Sequence, residues 1–470
     1  MARIRTDLCV IGAGSAGLSL AAGAVQMGAR VVLVEGHKMG GDCLNYGCVP
    51  SKALIAAARQ AQIVRQGGFG VAATEPQIDY AAAMDHVQHA IATIAPHDSV
   101  ERFEGLGVRV IRAWGRFVSP RELEAGEHVI RARRFVIATG SRPLVPPIPG
   151  LDSVPHLTNE TLFDLRERPA HLLIIGGGPI GLEMAQAHRR LGARVTVIEG
   201  DRALNREDPD LAAVLLARLR GEGVKIVEGA SAERVSGAAG AITVETGQGS
   251  FSGSHLLVAV GRRPSLERLN LAAAGVETTR AGVKVGSDLR SSNRRIYAIG
   301  DAAGGLQFTH LAGYHAGVVI RPILLGLPAK AKTAHIPRVT YTDPELAQIG
   351  PTEAEARENY GSRLSVVRVD YAGNDRAVTT GQTTGFVKVM VVGGRPVGAS
   401  IVGAEAGELV AVWALAIANR LKMTSLATMV APYPTLGELN KRAAGAYFSP
   451  RLFENPWVKA GVRTIQRLLP

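Results

Sequence analysis

Cysteine is scarce: the 470-residue chain has three. Three thiols cannot staple a fold of this size, so stability must come from packed cores, and a reducing compartment such as the cytoplasm is expected. Aromatic residues are also few, at 5%. They form no cluster with basic residues of the kind that lines a single-strand nucleic-acid channel, so a nucleic-acid partner is not expected. Long apolar runs are missing. The longest, Leu409 to Ala418, is bounded by Glu408 and Arg420 and reads as a buried or interface helix rather than a membrane span. Arg3 and Arg5 before Leu8 to Ala13 could pass for the start of a secretion leader, but the run is short and enters a glycine turn. Acidic residues are outnumbered 41 to 53, for a net charge of +12. The excess is spread along the chain and suits solubility and attraction for anionic cofactors. His86 and His89 have no metal-ligand partners at suitable spacing, and no metal site is expected.

What is present is a repeated glycine pattern. Leu8 to Ile11 reads as a buried strand containing Cys9, an inert core thiol. It enters Gly12-x-Gly14-x-x-Gly17, a turn that includes Ser15 and Ala16, then a helix from Leu18 to Gly28, and then the strand Arg30–Val34 closing on Glu35. The first glycine makes the tight turn, the second lets backbone approach a pyrophosphate, and the third lets helix and strand pack closely. Phosphates then sit at the helix N-terminus, and the glutamate can accept hydrogen bonds from ribose hydroxyls. One such pattern is weak evidence. Here the unit recurs: Leu172 to Ile175 leads into Gly176-x-Gly178-x-x-Gly181, with Ile180 inside the turn, a helix through Arg190, and a strand closing on Glu199. In both copies the first glycine lies 23 residues before the glutamate. Two related dinucleotide-binding domains are expected. Glu199 favours NADH over NADPH, because its carboxylate pairs with free ribose hydroxyls and repels an extra phosphate; nearby Arg202 softens that preference.

The two remaining cysteines share the segment Gly40-Gly41-Asp42-Cys43-Leu44-Asn45-Tyr46-Gly47-Cys48-Val49-Pro50-Ser51-Lys52. A pair this close can close into a disulfide and reopen, or can be two buried thiols. The glycine-rich approach, the helix-forming exit and the dinucleotide fingerprint upstream favour a redox-active pair. If the cysteines open a helix, its dipole favours the thiolate. Two dinucleotides and one dithiol suggest a relay in which a flavin bridges hydride and thiol chemistry.

At this point the chain resembles the class I pyridine nucleotide–disulfide oxidoreductases, which include dihydrolipoamide dehydrogenase, glutathione reductase and mercuric reductase. The resemblance is carried in order by the first fingerprint, the dithiol segment, Ala138-Thr139-Gly140 and the second fingerprint running into Leu182-Glu183. Val260 to Pro264, Ile299-Gly300-Asp301, Tyr341 to Pro344 and Pro432 to Glu438 follow. It implies an α/β fold of two Rossmann-type domains with a C-terminal α+β dimerisation domain. The expected divisions are 1–145 for FAD, 146–265 for the nicotinamide, 266–335 completing the FAD site, 336–455 for dimerisation and 456–470 as a terminal helix. It implies FAD held by Gly12, Gly14, Ser15, Ala16, Gly17, Glu35, Gly41, Lys52, Gly115, Thr139, Gly140, Gly300, Asp301 and Thr309. The nicotinamide falls to Gly176, Gly178, Ile180, Gly181, Glu199 and Gly261. Cys48 is then the thiol beside the flavin, Cys43 the thiol that exchanges with substrate, and Lys52 with Glu183 an ion pair at the flavin's reactive edge. His310 or its backbone is a further candidate flavin contact.

Two positions depart from the family pattern. Asp42 stands where threonine is usual, and a carboxylate there should raise the Cys43 pKa unless it is paired. Tyr433 stands where a histidine works with Glu438 on the other subunit's dithiol in a homodimer. Tyrosine is a poor neutral-pH base, its reference pKa lying roughly 3.5 units above that of histidine. Mercuric reductase has a tyrosine in the matching place, but no cysteine follows Cys48 here to hand over a metal. The expected activity is electron transfer from NADH through FAD and the Cys43–Cys48 disulfide to a thiol-type acceptor. The alternatives are reduction of a metal ion or small electrophile, or service as a membrane- or partner-docked electron-transfer subunit. Residues 456–470 form a basic amphipathic pattern: Trp457, Val458, Val462, Ile465 and Leu469 alternate with Lys459, Arg463 and Arg467. Packing on its own domain is the first expectation, and contact with an anionic membrane surface or a partner the second.

Overall fold

The computed structural model describes residues 1–469. They form two compact units, one of residues 1–201 with 224–332, the other of 202–223 with the described residues from 333 on.

The first unit is built twice on one plan. The strands Arg109–Ile111, Val31–Val34, Ala2–Ile11 and His128–Ile137 lie side by side in that order, and Ile296–Ala298 adds to the far side of the last. All these pairings are parallel, and Val31–Val34 with the paired ends Leu8–Ile11 and Phe135–Ile137 form buried apolar runs, as a sheet covered on both faces requires. The antiparallel strands Gly115–Ser119 and Glu122–Ala125 extend one edge. The second copy orders Lys225–Val227, Arg194–Ile198, His171–Ile175 and His255–Val258 in the same way, all parallel. An antiparallel three-stranded sheet, Ala232–Ala238, Ala241–Thr246 and Gly249–Gly253, accompanies it. In each copy the fingerprint glycines sit where the first strand turns into its helix, Ser15–Gln26 or Pro179–Arg190.

The second unit carries a five-stranded antiparallel sheet. Its order is Arg338–Thr340, Glu345–Ile349, Arg395–Gly403, Phe386–Val392, Leu364–Asp370. The helices Ala406–Ala418 and Glu438–Phe453 cover one face over a core that includes Trp413. The Trp413 indole N–H donates to Asn440 Oδ1 at 2.8 Å, and Asn440 in turn donates to the Leu409 carbonyl at 3.0 Å. The Leu409–Ala418 run thus lies within a core helix, as its composition suggests.

Two features differ from the sequence expectations. Residues 202–223 fall within the expected nicotinamide domain, yet they belong to the second unit. Lys388 explains why. It lies in the sheet with its side chain 3% exposed, and its ammonium meets Asp208 at 3.0 Å, Asp210 at 2.7 Å and Glu353 at 3.0 Å. A buried ammonium needs such partners, and the 202–223 segment supplies two of the three. Asp208 also caps the helix Pro209–Gly221, which has proline at its first position and arginines in its last turn. The second difference is at the C-terminus. The helix Pro456–Leu468 forms as expected, capped by Asn455 with Pro456 at its start, but none of its residues is buried. Packing on its own domain, the first expectation, is not what is observed. Among the described residues, none buries the apolar stripe.

Candidate functional site

The two fingerprints have the same local geometry. Gly12, at φ +107°, and Gly176, at φ +113°, adopt conformations that L side chains rarely take, and a Cβ on either would strike a neighbouring backbone carbonyl, of Ala138 or Ala259. A Cβ on Gly17 or Gly181 would collide with the carbonyl of the first glycine of its own fingerprint. The middle glycines differ. Gly14 would meet only the Cα of Gly41 at 3.8 Å, and Gly178 has no neighbour within 4 Å, so these faces are open for close approach to a ligand. The terminal glutamates do more than the ribose contact foreseen. Glu35 accepts from the Ala13 and His37 amides, both at 2.6 Å. Glu199 accepts from Gly177 at 2.6 Å and Asp201 at 2.9 Å. Each carboxylate therefore holds its own glycine turn and keeps further lone pairs for a hydroxyl.

The dithiol stands at the openings of two helices. Gly41–Asn45 carries Cys43, and Cys48 is the first residue of the 19-residue helix Cys48–Gln66. Cys43 is half-buried, Cys48 is exposed, and both are free thiols within hydrogen-bonding reach of each other. Cys48 Sγ also lies 3.2 Å from the hydroxyl of Thr309, the first residue of the helix Thr309–Ile320. The hydrogen bond from Cys43 lowers the Cys48 pKa most. Burial opposes it, and Thr309 and the charge of Lys52 add to the lowering, leaving Cys48 at about 6. Cys43 shifts the other way: its hydrogen bond to the Cys48 sulfur and its burial hold its proton on. One thiolate and one thiol is therefore the resting form of the reduced pair at neutral pH. Cys9 is fully buried, and burial pushes its thiol up, as expected of an inert core residue.

One turn beyond Cys48, the Lys52 ammonium meets Glu183 at 2.8 Å. Glu183 comes from the helix that opens with the second fingerprint and is 5% exposed. This joins the dithiol helix to the second dinucleotide fold. Ile180, in the first turn of the same helix, is 40% exposed.

Asp42 is paired. Its carboxylate lies 2.9 Å from Arg262 and accepts from Asn159 at 2.9 Å. Arg262 also donates to the Ser141 hydroxyl at 2.8 Å, and that hydroxyl donates to Asp301 at 2.5 Å. A polar chain thus runs from the dithiol segment to Asp301. Burial raises the Asp301 pKa, and Ser141 and Arg262 act against it. The Gly300 amide donates to Nδ1 of buried His315 at 3.2 Å. Burial lowers the His315 pKa, so the ring stays neutral with its proton on Nε2. His310 stacks on Phe308 with centroids 5.2 Å apart. Arg262, Asn159, Ser141 and His315 had no assigned role from sequence. The one available signal was Asp42 itself, an unexpected carboxylate that needed a cation, with Arg262 following Gly261 in a recognised motif.

Of the other predicted residues, Ser15 and Ala16 open the first fingerprint helix, and Gly140 and Gly261 adopt positive φ of +64° and +124°. Gly115 begins a strand, and a Cβ there would sit 3.1 Å from Leu123, a packing reason for glycine. In the second unit Tyr433 is 68% exposed and donates to Asp375 at 2.9 Å. That hydrogen bond and the Asp375 charge raise its pKa above the ordinary phenol value. Glu438 opens the helix Glu438–Phe453, and its Oε2 is buried without a protein partner.

Two family models match the chain. That of the pyridine nucleotide-disulphide oxidoreductases covers residues 6–316, and that of the same family's dimerisation domain covers 336–444. The chain belongs to this family. As a member it is a flavin-dependent pyridine nucleotide–disulfide oxidoreductase, of a family that depends on FAD and uses NAD(P)H. It is 35% identical to a mercuric reductase of Acidithiobacillus ferrooxidans over 94% of this chain and 82% of that one. A dihydrolipoyl dehydrogenase of Bacillus subtilis (strain 168) is 32% identical over 92% and 96%. Among solved structures, the HOCl-induced flavoprotein disulfide reductase RclA from Escherichia coli superposes with a TM-score of 0.84. Its identity is 29%, covering 93% of this chain and 99% of that one. RclA is also described as a Cu(II) complex. The family resemblance and the two-Rossmann α/β fold read from the sequence both stand.

The residues present fit a flavin dinucleotide. Gly14 offers open backbone, and Gly41 at φ +60° lacks a Cβ that would sit 2.7 Å from the Gly14 Cα. The Thr139 hydroxyl is buried with no protein partner, and Asp301 is held in place by Ser141. Among the described residues no cluster of histidine, cysteine or acid could hold a metal ion, and no helix is long and apolar enough to cross a membrane.

Proposed function

We propose that this oxidoreductase takes electrons from NADH and delivers them through Cys43 and Cys48 to a thiol-reactive acceptor, a small disulfide in the first instance. The observation that carries this reading is the pair of free thiols within reach of each other, Cys48 opening its helix with its sulfur 3.2 Å from the Thr309 hydroxyl and one turn before the Lys52–Glu183 ion pair, a setting that lowers the Cys48 pKa and raises that of Cys43. When bound, FAD supplies two-electron transfer between a nicotinamide hydride and a disulfide. The rest falls to side chains. Cys43, passing its proton by way of the Cys48 sulfur to the departing sulfur, attacks one sulfur of the acceptor, forming a mixed disulfide and releasing the first thiol. The Cys48 thiolate then attacks the Cys43 sulfur, which closes the Cys43–Cys48 bond and expels the second. Two electrons leave the dithiol, one sulfur–sulfur bond breaks as another forms, and protons from Cys43 and solvent complete the two product thiols. Lys52 keeps a positive charge beside Cys48, and Glu183 fixes its position. Glu199, whose carboxylate accepts from the Gly177 and Asp201 amides and keeps lone pairs for ribose hydroxyls, supports NADH over NADPH.

Tyr433 shapes the acceptor. In the proposed homodimer Tyr433 and Glu438 complete the other subunit's dithiol, but a tyrosine bound to Asp375 cannot draw a proton from a dithiol at neutral pH. Reduction of an acceptor whose leaving group is already stable as an anion needs no such base. The reading is therefore reduction, with dihydrolipoamide oxidation slow. The second reading, reduction of a soft metal ion or small electrophile, is favoured by the same tyrosine and by the likeness to mercuric reductases.

The test compares wild type with Cys43→Ser and Cys48→Ser, each flavin-loaded, against lipoamide, glutathione disulfide, mercuric ion and a quinone. Activity toward sulfur acceptors should fall at least a hundredfold in both variants while NADH still bleaches the chromophore. Retained disulfide reduction in either variant refutes the dithiol assignment. Mercuric ion as the one acceptor turned over by wild type selects the second reading.

A further inference from the structure

The exposed helix Pro456–Leu468 lies outside everything the redox site uses. Its 13 residues span about 20 Å at 1.5 Å per residue. At 3.6 residues per turn, Trp457, Val458, Val462, Ile465 and Leu468 fall within roughly 140° of arc. Lys459, Arg463 and Arg467 fall on the opposite side. All are exposed, Trp457 at 85% and Leu468 at 79%, and the preceding Phe453 at 68% extends the apolar surface. A contiguous apolar stripe of this kind marks an interaction surface.

We infer that this helix docks the protein on an anionic lipid surface, lying in the plane of the headgroups with its apolar face down. Charge favours that occupant. No acidic residue follows Glu454, while three cations line the polar arc, and the whole chain carries +12. An in-plane helix gains from anionic headgroups flanking its polar face, and each lysine or arginine near such a surface strengthens binding about fivefold. A second copy of this helix would bring three more cations and no acidic residue. Trp457 lies at the edge of the apolar arc, where an amphipathic ring meets the headgroup level. None of these residues belongs to the dithiol segment or to either fingerprint.

The experiment uses the full-length, flavin-loaded protein and sedimentation with vesicles of phosphatidylcholine alone or mixed with phosphatidylglycerol. Binding is expected to the mixed vesicles, weakening with added salt as headgroup charges are screened. Arg463→Gln should weaken it about fivefold, and combined Lys459→Gln, Arg463→Gln and Arg467→Gln about a hundredfold. Ile465→Asp should abolish it. All four positions are exposed, so flavin content and NADH oxidation should match wild type. Absence of binding to mixed vesicles, equal binding to phosphatidylcholine alone, or wild-type binding by Ile465→Asp overturns the inference. So does a change of oligomeric mass in Ile465→Asp without vesicle binding by wild type, which would make the helix a contact between copies.

Discussion

Thr309→Val tests how Cys48 is kept ionised. The hydroxyl sits 3.2 Å from the sulfur, and valine keeps the shape while removing the hydrogen bond. A hydrogen bond to a charged group contributes about 1.5–3 kcal/mol. At about 1.4 kcal/mol per pKa unit this is roughly 1–2 units. The Cys48 midpoint should move from about 6 to roughly 7–8, with the first influence, the Cys43 hydrogen bond, intact. The sign follows from the folded pKa lying below the ordinary thiol value of 9.0. The thiolate, and the stability it brings, is full above that ordinary value and is lost as pH falls through about 6. In the variant the loss begins above neutrality. At pH 7 the thiolate fraction should drop from about nine-tenths to between about a half and a tenth. The assay is the pH dependence of iodoacetamide alkylation of the reduced protein, with the modified cysteine located by tandem mass spectrometry. A midpoint equal to wild type would show that Thr309 does not stabilise the thiolate and would undo the account of the split pair.

Two further outcomes are expected. Wild-type oxidation of dihydrolipoamide should be slow near pH 7 and climb into the alkaline range, because Asp375 raises the Tyr433 pKa. Tyr433→His should raise the neutral rate about a hundredfold, the lower end of what a placed general base contributes; a fast wild-type rate with a neutral optimum would contradict this. Gly178→Ala should fold and keep its flavin, since nothing lies within 4 Å of the added Cβ. Its KM for NADH should rise about tenfold, for roughly 1.4 kcal/mol of lost pyrophosphate approach. An unchanged KM would show that the second fingerprint does not hold the nicotinamide dinucleotide.

What the sequence made legible was what local geometry dictates. A Cβ on Gly12 or Gly17 collides with backbone whatever surrounds the turn, so the fingerprint and its repeat can be read without knowing the neighbours. Cys48 opening a helix is equally local, since Gly47 precedes it and a run of helix formers follows. The parts that were not legible depend on distant partners. Lys388 lies 180 residues from Asp208, and nothing around either residue announces that the 202–223 helix leaves its own domain to satisfy a buried ammonium. The stripe on Pro456–Leu468 was visible, but amphipathicity says only that a face must be covered, not that the same chain covers it.

Asp42 shows how one substitution against the family pattern becomes tolerable. A lone carboxylate beside Cys43 and Cys48 would oppose thiolate formation at the point where it is needed. Its field does raise the Cys48 pKa, but the Cys43 and Thr309 hydrogen bonds and the Lys52 charge act the other way and leave Cys48 at about 6. Arg262 and Asn159 occupy the carboxylate itself. Arg262 also reaches Ser141, whose hydroxyl holds Asp301, so the same guanidinium that neutralises Asp42 helps to keep ionised a buried carboxyl whose burial pushes its pKa up. Two acids at two ends of one site share a single cation. A threonine at position 42 would leave Arg262 with one carboxylate instead of two, strengthening its hold on Asp301, and would leave Asn159 its bond to the Tyr46 carbonyl. The departure at Asp42 is therefore a redistribution of charge across the site rather than an isolated change beside the dithiol.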